Sequence, residues 1–406
     1  MNNIISRLLT KGTTDRSKSK LLEEIHSYGG YIETNVCRET TSLTITYLKE
    51  HTQAVVKLLG DVFKNSSFNA EDLEAEKGAI LKEAESINDP KKIIIDASLY
   101  TSYRDHMLGQ PAEGIKDNIP NITTNHIREF FGENYTGDNI TVSAAGNINF
   151  NEFTNYVEES FGKIGKGSHV TVANSEQPYF TPSLMFMRDD EITNMSSGIS
   201  WRAPGWTHPD WLGLNFIKYI IGDYRIDKYT GAHLNSSQLQ YNNMHAALGD
   251  YPDLLWQEPF YHAYSDTGIW GNFMIGNEMH NFQLLLLGQA VITELASKTE
   301  QAEVYRARAK YWNELLDTYC ATRTSLKNAK QGAYLGRILT RTELATKISH
   351  MDPEYVRQLA AKWFWDVDIS VVGYGPLHRS SSRALHNRLF RRSTLGAWGS
   401  IQSTWV

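Results

Sequence analysis

The sequence predicts an α+β protein built of two homologous α/β halves, each a mixed sheet packed against helices, with the first half truncated at its N-terminus. Three observations lead there. Two stretches, Ser42–Tyr47 and TGIWGNFMIG (267–276), alternate apolar and polar residues as half-buried strands do. Each is followed by a run of helical segments. Each half then closes on a matched helix and strand, with ITTNHIREFFGENYTGDNITVSAAG keeping its apolar positions in step with MDPEYVRQLAAKWFWDVDISVVGYG. A repeat this long marks a duplicated domain, because solenoid units run to roughly 20–50 residues.

The elements follow in order. Ile4, Ile5, Leu8 and Leu9 form one apolar stripe at helical spacing, with Gly12 as a stop. Ser17 caps a second helix carrying Leu21, Leu22 and Ile25, which Gly29-Gly30 ends. Arg7, Lys11, Arg16, Lys18 and Lys20 outnumber Asp15, as in a transit peptide, yet the second helix runs on unbroken, so the segment reads as a folded helical hairpin. After the strand at 42–47, helices are expected over 50–64, 69–87, 91–105 and 123–134. A strand over 139–148 and a helix over 150–161 complete the half. GKIGKGSHVTVANSEQPYFTPS (162–183) lacks helical periodicity and carries Gly and Pro punctuation, the marks of a linker. In the second half, strands over 183–188 and 195–203 precede a helix over 208–221. The strand at 267–276, helices over 278–296, 300–320, 340–349 and 353–364, and a strand over 368–377 follow. The expected organisation is an N-terminal domain (1–161), a linker (162–183), a C-terminal domain (184–376) and a tail (377–406).

The halves differ at their beginnings. Some 80 residues separate Ser183 from the strand at Thr267, but only about 40 separate Met1 from the strand at Ser42. The first copy is therefore expected to lack about two strands. A sheet with an unfilled position exposes an unpaired edge, so either a partner fills it or the sheet is narrower.

Composition narrows the function classes. The 406 residues carry a formal net charge of −6, which gives no general affinity for nucleic acid or an anionic membrane. No apolar run reaches the roughly 18–20 residues of a membrane span; Phe282–Ala296 contains Gln283, Gln289 and Glu294 and reads as a buried helix. Cys37 and Cys320 stand far apart in unlike contexts, so no disulfide framework is expected.

Several stretches in sequence carry a resemblance: KGTTDRSKSKLLEEIHSYGGYIETNVCRETTSLTITYL, FNAEDLEAEKGAILKEAESI, GQPAEGIKDNIPNIT, IIGDYRIDKYTGAHLNSSQL, YSDTGIWG and VVGYGPL with NRLFRR after it. Together they resemble the pitrilysin-like zinc peptidase superfamily, on the branch holding the β-subunits of mitochondrial processing peptidase and the core 1 subunits of respiratory complex III. The resemblance spans nearly the whole chain. The long Gly-rich loop of the superfamily's α-subunits is missing, and Tyr229-Thr230-Gly231 stands where relatives have a run of glycines.

Active members carry H-x-x-E-H just before the K-G-T segment: two His at helical spacing bind Zn²⁺ and the Glu activates the metal-bound water. Aligned on Lys11-Gly12-Thr13, those positions hold Asn3, Ser6 and Arg7. Both imidazoles and the base are replaced, and Arg7 puts a fixed positive charge where a dication would sit. Of the ligand set only the distant carboxylate remains, at Glu83, with Glu76 two turns earlier. One carboxylate does not make the three-ligand open site of catalytic zinc. Glu71, Glu74, Glu76, Glu83 and Glu85 otherwise read as a charged, solvated or salt-bridged helix face. No catalytic, cofactor-binding or metal-binding residue is therefore predicted, and no cofactor.

Other candidates carry less. His245, His262 and His280 show no ligand spacing, and GYGPL ends a strand with no phosphate-binding helix after it. Trp201, Trp206, Trp211, Trp256, Trp270, Trp312, Trp363 and Trp365 crowd the second half among expected Tyr-Pro and Trp-Gln turns. They suit a core and an extensive interface alike. The tail combines Arg379, Arg383, Arg388, Arg391 and Arg392 with Leu385, Leu389, Phe390, Leu395, Trp398, Ile401 and Trp405 and has no acidic residue, a pattern expected to dock on a complex at a membrane face.

The resemblance thus implies an inactive peptidase homologue, a core subunit of complex III on the matrix side of the mitochondrial inner membrane. It would pair with a core 2-like or α-type subunit and meet cytochrome b, cytochrome c1 and the Rieske protein. A β-type processing peptidase subunit, and a peptidase-like subunit of another inner-membrane complex such as ATP synthase, are the competing readings.

Overall fold

The computed structural model describes residues 1–86, 89–104, 106–167, 178–226, 254–278, 280–317 and 320–376. The expected tail at 377–406, part of the expected linker (168–177), His245 and Tyr229–Gly231 lie outside them. The described elements begin with α1 (Asn2–Leu8), α2 (Lys18–Ser27), β1 (Tyr31–Val36), β2 (Thr41–Thr46), α3 (Thr52–Asn65), α4 (Ala70–Glu85) and α5 (Pro90–Ser102). Then come α6 (Thr124–Asn134), α7 (Phe150–Phe161), β3 (Leu184–Arg188), β4 (Met195–Ala203), α8 (Trp211–Ile221) and β5 (Tyr224–Arg225). The rest are β6 (Leu254–Ala263), β7 (Gly268–Gly276), α9 (Asn281–Glu294), α10 (Gln301–Asp317), α11 (Ala321–Leu335), α12 (Arg341–Ser349), α13 (Pro353–Trp363) and β8 (Ile369–Gly375). The mixed α/β architecture predicted from the sequence is the one observed.

Local chemistry sets many of the boundaries. Ser17 accepts from the Lys20 amide at the start of α2, and Asp352 accepts from the Tyr355 amide at 2.7 Å with Pro353 opening α13. Gly336 closes α11 in the left-handed region at φ +66°.

Two compact units emerge, and neither is a continuous length of chain. Unit 1 comprises Met1–Ile87, Pro111–Glu176 and Asp317–Ile338; unit 2 comprises Asn88–Gln110, Gln177–Leu316 and Leu339–Val406. Each half thus gives the other a helix: α5 belongs to unit 2 and α11 to unit 1.

Unit 2 is organised around a six-stranded sheet in the order β3-β8-β4-β7-β6-β5. β3 runs parallel to β8, and the other neighbours pair antiparallel. One face carries fully buried Trp201 and Trp270 with Phe364, their ring centroids 4.7–5.9 Å apart. The other face is covered by α5, whose Ile94 and Leu99 join Tyr103, Phe273 and Val372 in a second core. Gly198 in β4 is small because α5 crosses it: a Cβ there would lie 2.5 Å from Ile94 Cγ2.

In unit 1, β1 and β2 form an antiparallel hairpin from Tyr31↔Thr46 to Val36↔Thr41. The predicted apolar stripe on α1 is its core, with Ile4, Ile5, Leu8 and Leu9 packed among Leu21, Ile25, Leu58, Val62, Ile80 and Ile127.

Three expectations need correction. The segment 139–148 forms no strand; Gly137–Asn139 is a 3₁₀ turn, and the residues after it run without a ladder. Trp256-Gln257, read as a turn, lies inside β6. The helix α11 was not anticipated.

Candidate functional site

The positions singled out on the sequence converge in unit 1 between α1 and α4. Asn3, Ser6 and Arg7 all lie on α1, whose buried apolar stripe fixes its rotation. Ser6 is 2% exposed, and its hydroxyl donates to the Asn3 carbonyl at 2.8 Å, so it serves its own helix. Asn3 donates from Nδ2 to the Glu113 carbonyl at 3.2 Å and accepts from Arg7 Nε at 3.4 Å, holding the guanidinium stem.

Glu76 and Glu83 stand seven residues apart on α4, two turns along one face. Arg7 bridges them. Nη1 lies 3.1 Å from Glu83 Oε1 and 3.4 Å from Glu76 Oε2, and Nη2 lies 2.5 Å from Glu83 Oε2. The paired contacts to Glu83 are the bidentate fork at which Arg, not Lys, is suited. Lys11 Nζ pairs with the other Glu76 oxygen. Hydrogen bonds to Glu83 hold the Arg7 guanidinium above its ordinary pKa, against a partial desolvation that works the other way.

Sequence reasoning placed Arg7, Glu76 and Glu83 together, and the structure brings all three into contact. It missed Lys11, which lies just beyond the end of α1 and reaches Glu76 through a tertiary pairing. Two carboxylates face two cations, so the cluster is already neutral. A zinc ion would need imidazole or free carboxylate donors, and these residues offer neither. The donor set does not fit the metal that the resemblance implies. Among the described residues, no group of three or more His, Cys, Asp and Glu side chains is placed to hold a metal ion. None of their helices is long and apolar enough to cross a membrane.

A second ion network secures the Lys11-Gly12-Thr13 turn. Gly12 sits at φ +129°, and Arg16 spans Glu24 Oε2 at 3.0 Å and Asp61 Oδ2 at 2.5 Å. Thr13 Oγ1 donates to the same Asp61 oxygen at 3.0 Å. Burial raises the Asp61 pKa, but the Asn65, Thr13 and Arg16 donors outweigh it and hold the carboxyl below its usual range.

Comparison with known proteins places this geometry. A family model described as "Insulinase (Peptidase family M16)" matches residues 1–115, and one described as "Peptidase M16 inactive domain" matches 121–311. The probable mitochondrial-processing peptidase subunit beta of Schizosaccharomyces pombe is 26% identical over 98% of this chain and 86% of its own length. The mitochondrial cytochrome b-c1 complex subunit 1 of Rattus norvegicus is 25% identical over 95% of this chain and 79% of its own. A chain of complex III2 from Candida albicans superposes with a TM-score of 0.75 at 17% identity, over 97% of this chain and 88% of that one. The chain belongs to peptidase family M16.

Proposed function

We propose that this chain is a non-catalytic core subunit of the mitochondrial respiratory complex III, facing the matrix, and not an enzyme in its own right. The observation that carries the reading is the position of Arg7. A built-in guanidinium lies between the two carboxylates of α4, where a hydrolytic member would need a metal and its activated water. With Asn3 and Ser6 beside it, α1 supplies neither metal donor nor general base. The likeness to cytochrome b-c1 complex subunit 1 over most of both chains supports the assignment to that complex. On this reading the partners are a core 2-like or α-type subunit, cytochrome b, cytochrome c1 and the Rieske protein.

The first-named relative, a processing peptidase β-subunit, favours a second reading: a subunit that takes part in presequence cleavage. Affinity purification of the tagged chain from mitochondria separates the two. Recovery of stoichiometric cytochrome b and c1 supports the core-subunit reading. Recovery of a soluble heterodimer that cleaves a presequence peptide supports the peptidase reading. A complex with ATP synthase subunits overturns both. A chain ending at Pro376 is expected to fold but to leave the complex, because the Arg-, Leu- and Trp-rich tail is the proposed anchor.

A further inference from the structure

Three side-chain amides are buried between the Trp201–Trp270 face of the unit 2 sheet and the helices α8 and α9: Gln257 on β6, Asn272 on β7, and Asn281 at the start of α9. Strand interiors favour β-branched and aromatic residues, so two amides side by side there call for a reason. A primary amide has a donor end and an acceptor end, and once buried both need partners. Asn281 finds both. Its Oδ1 accepts from Ser197 Oγ at 2.9 Å, and its Nδ2 lies 3.1 Å from Met195 Sδ.

Gln257 and Asn272 satisfy only half of their needs. Gln257 Nε2 donates to Asn272 Oδ1 at 2.7 Å and to the carbonyl of Gly222, just past the end of α8, at 3.3 Å. Gln257 Oε1 and Asn272 Nδ2 are left buried without a hydrogen-bond partner. Turning the amides over does not help. Rotating either one alone sets like groups against each other. Rotating both keeps one amide–amide bond, gives up the Gly222 carbonyl, and still strands one donor and one acceptor. A leftover donor and a leftover acceptor on adjacent side chains are the two ends that one water molecule joins.

Residue 288 makes the room. Gly288 lies in the interior of α9, where glycine is the least favourable residue after proline. A Cβ there would lie 3.2 Å from Met274 Cε, 3.3 Å from Met274 Sδ and 3.6 Å from Asn272 Nδ2. Its absence opens space of roughly one water beside the unpaired Asn272 donor.

We propose that unit 2 binds one ordered water molecule beneath Gly288, accepting from Asn272 Nδ2 and donating to Gln257 Oε1. The water completes a polar chain from the Gly222 carbonyl through Gln257 to Asn272. That chain pins β6 beside the place where its pairing with β7 shifts register, between Leu254 and Trp256.

A structure of the full chain at a resolution that shows ordered water tests this directly. The expected result is one solvent peak within about 2.7–3.2 Å of both Asn272 Nδ2 and Gln257 Oε1. A dry site overturns the proposal. So does a side chain from elsewhere in the chain, 227–253 included, bonded to those two atoms. Urea unfolding of Gly288→Ala adds a test of sign. In a dry site alanine improves the helix and fills a gap, so the midpoint rises; displacing a bound water lowers it. The fall is expected in the parent and should vanish or reverse in an Asn272→Ala background, which has no Nδ2 to hold the water. A rise in the parent, or an equal fall in both backgrounds, overturns the proposal. Should Gly288→Ala fail to fold, the solvent peak in the parent decides.

Discussion

Arg7 addresses both oxygens of Glu83, Nη1 to Oε1 at 3.1 Å and Nη2 to Oε2 at 2.5 Å, while Lys11 holds the Glu76 oxygen that Arg7 leaves free. Glu83 is 60% exposed and Glu76 only 11%, so the two pairings differ in worth. Arg7→Ala alone should cost roughly 1 kcal/mol, because Lys11 still neutralises Glu76. Arg7→Ala with Lys11→Ala should cost more than the sum of the singles, since it strands a nearly buried carboxylate. Adding Glu76→Gln should recover most of that excess. Urea unfolding of the four variants measures it.

Rebuilding the ligand set asks whether α1 and α4 keep metal-site spacing. The triple replacement Asn3→His, Ser6→Glu and Arg7→His removes the guanidinium and supplies two imidazoles beside Glu83. It should retain about one zinc per chain after dialysis, as measured by mass spectrometry of the metal, with the parent chain dialysed beside it. A metal-free triple variant would show that the helices have drifted from that spacing.

Acid should weaken both units through one carboxylate each. Asp61 sits among Asn65, Thr13 and Arg16, and Asp210 accepts from Lys362 Nζ at 2.6 Å and Trp363 Nε1 at 3.0 Å. In both, burial pushes the pKa up and the donors more than reverse it, so the folded value lies below the unfolded one. Their contribution is present above the ordinary aspartate pKa of about 4 and is lost as pH falls through the folded values. Thermal melts of Asp61→Asn and Asp210→Asn should therefore lose less between pH 5 and pH 3 than the parent does.

Base acts through Tyr103. Its hydroxyl is buried, donates to the Gly268 carbonyl at 2.8 Å and lies 3.2 Å from Thr267 Oγ1; burial pushes its pKa up to about 12. The folded state holds this proton after the unfolded chain releases it near pH 10, so stability falls between about 10 and 12. Tyr103→Phe should cost about 1–2 kcal/mol at neutral pH from the lost hydrogen bonds, yet flatten the alkaline decline. Melts across pH 8–11 decide it.

How far the fold could be read from sequence depends on where each element's stabilisation lies. Local signals served well: the Ile4-Ile5-Leu8-Leu9 stripe, the Ser17 cap and the Asp352-Pro353 start each specify a helix from neighbouring residues. The failures depended on distant partners. Residues 139–148 alternate like β8 but have no ladder partner among the described residues, and Trp256-Gln257 is strand because β7 runs beside it. α11 opens on Cys320-Ala321 without a side-chain cap, and its place beside β2 is set from 276 residues away. At the candidate site the residue types were legible, because an arginine cannot stand in for a histidine ligand. Lys11 was not, because it lies just beyond the end of its helix and its pairing is tertiary.

The exchange of α5 and α11 also fixes an order of events during synthesis. Unit 1 cannot be completed until residue 338 has left the ribosome, by which time most of unit 2 has been made. Until then β2 and Ile140–Ala145 lack their shared helix, and α5 waits with its apolar face for a sheet whose final strand ends at Gly375. Neither unit can complete its packing from one continuous length of chain, so both stay unfinished, with apolar surface exposed, while most of the sequence is being made. A gene cut near residue 170 would yield two incomplete products, each carrying the other's missing helix.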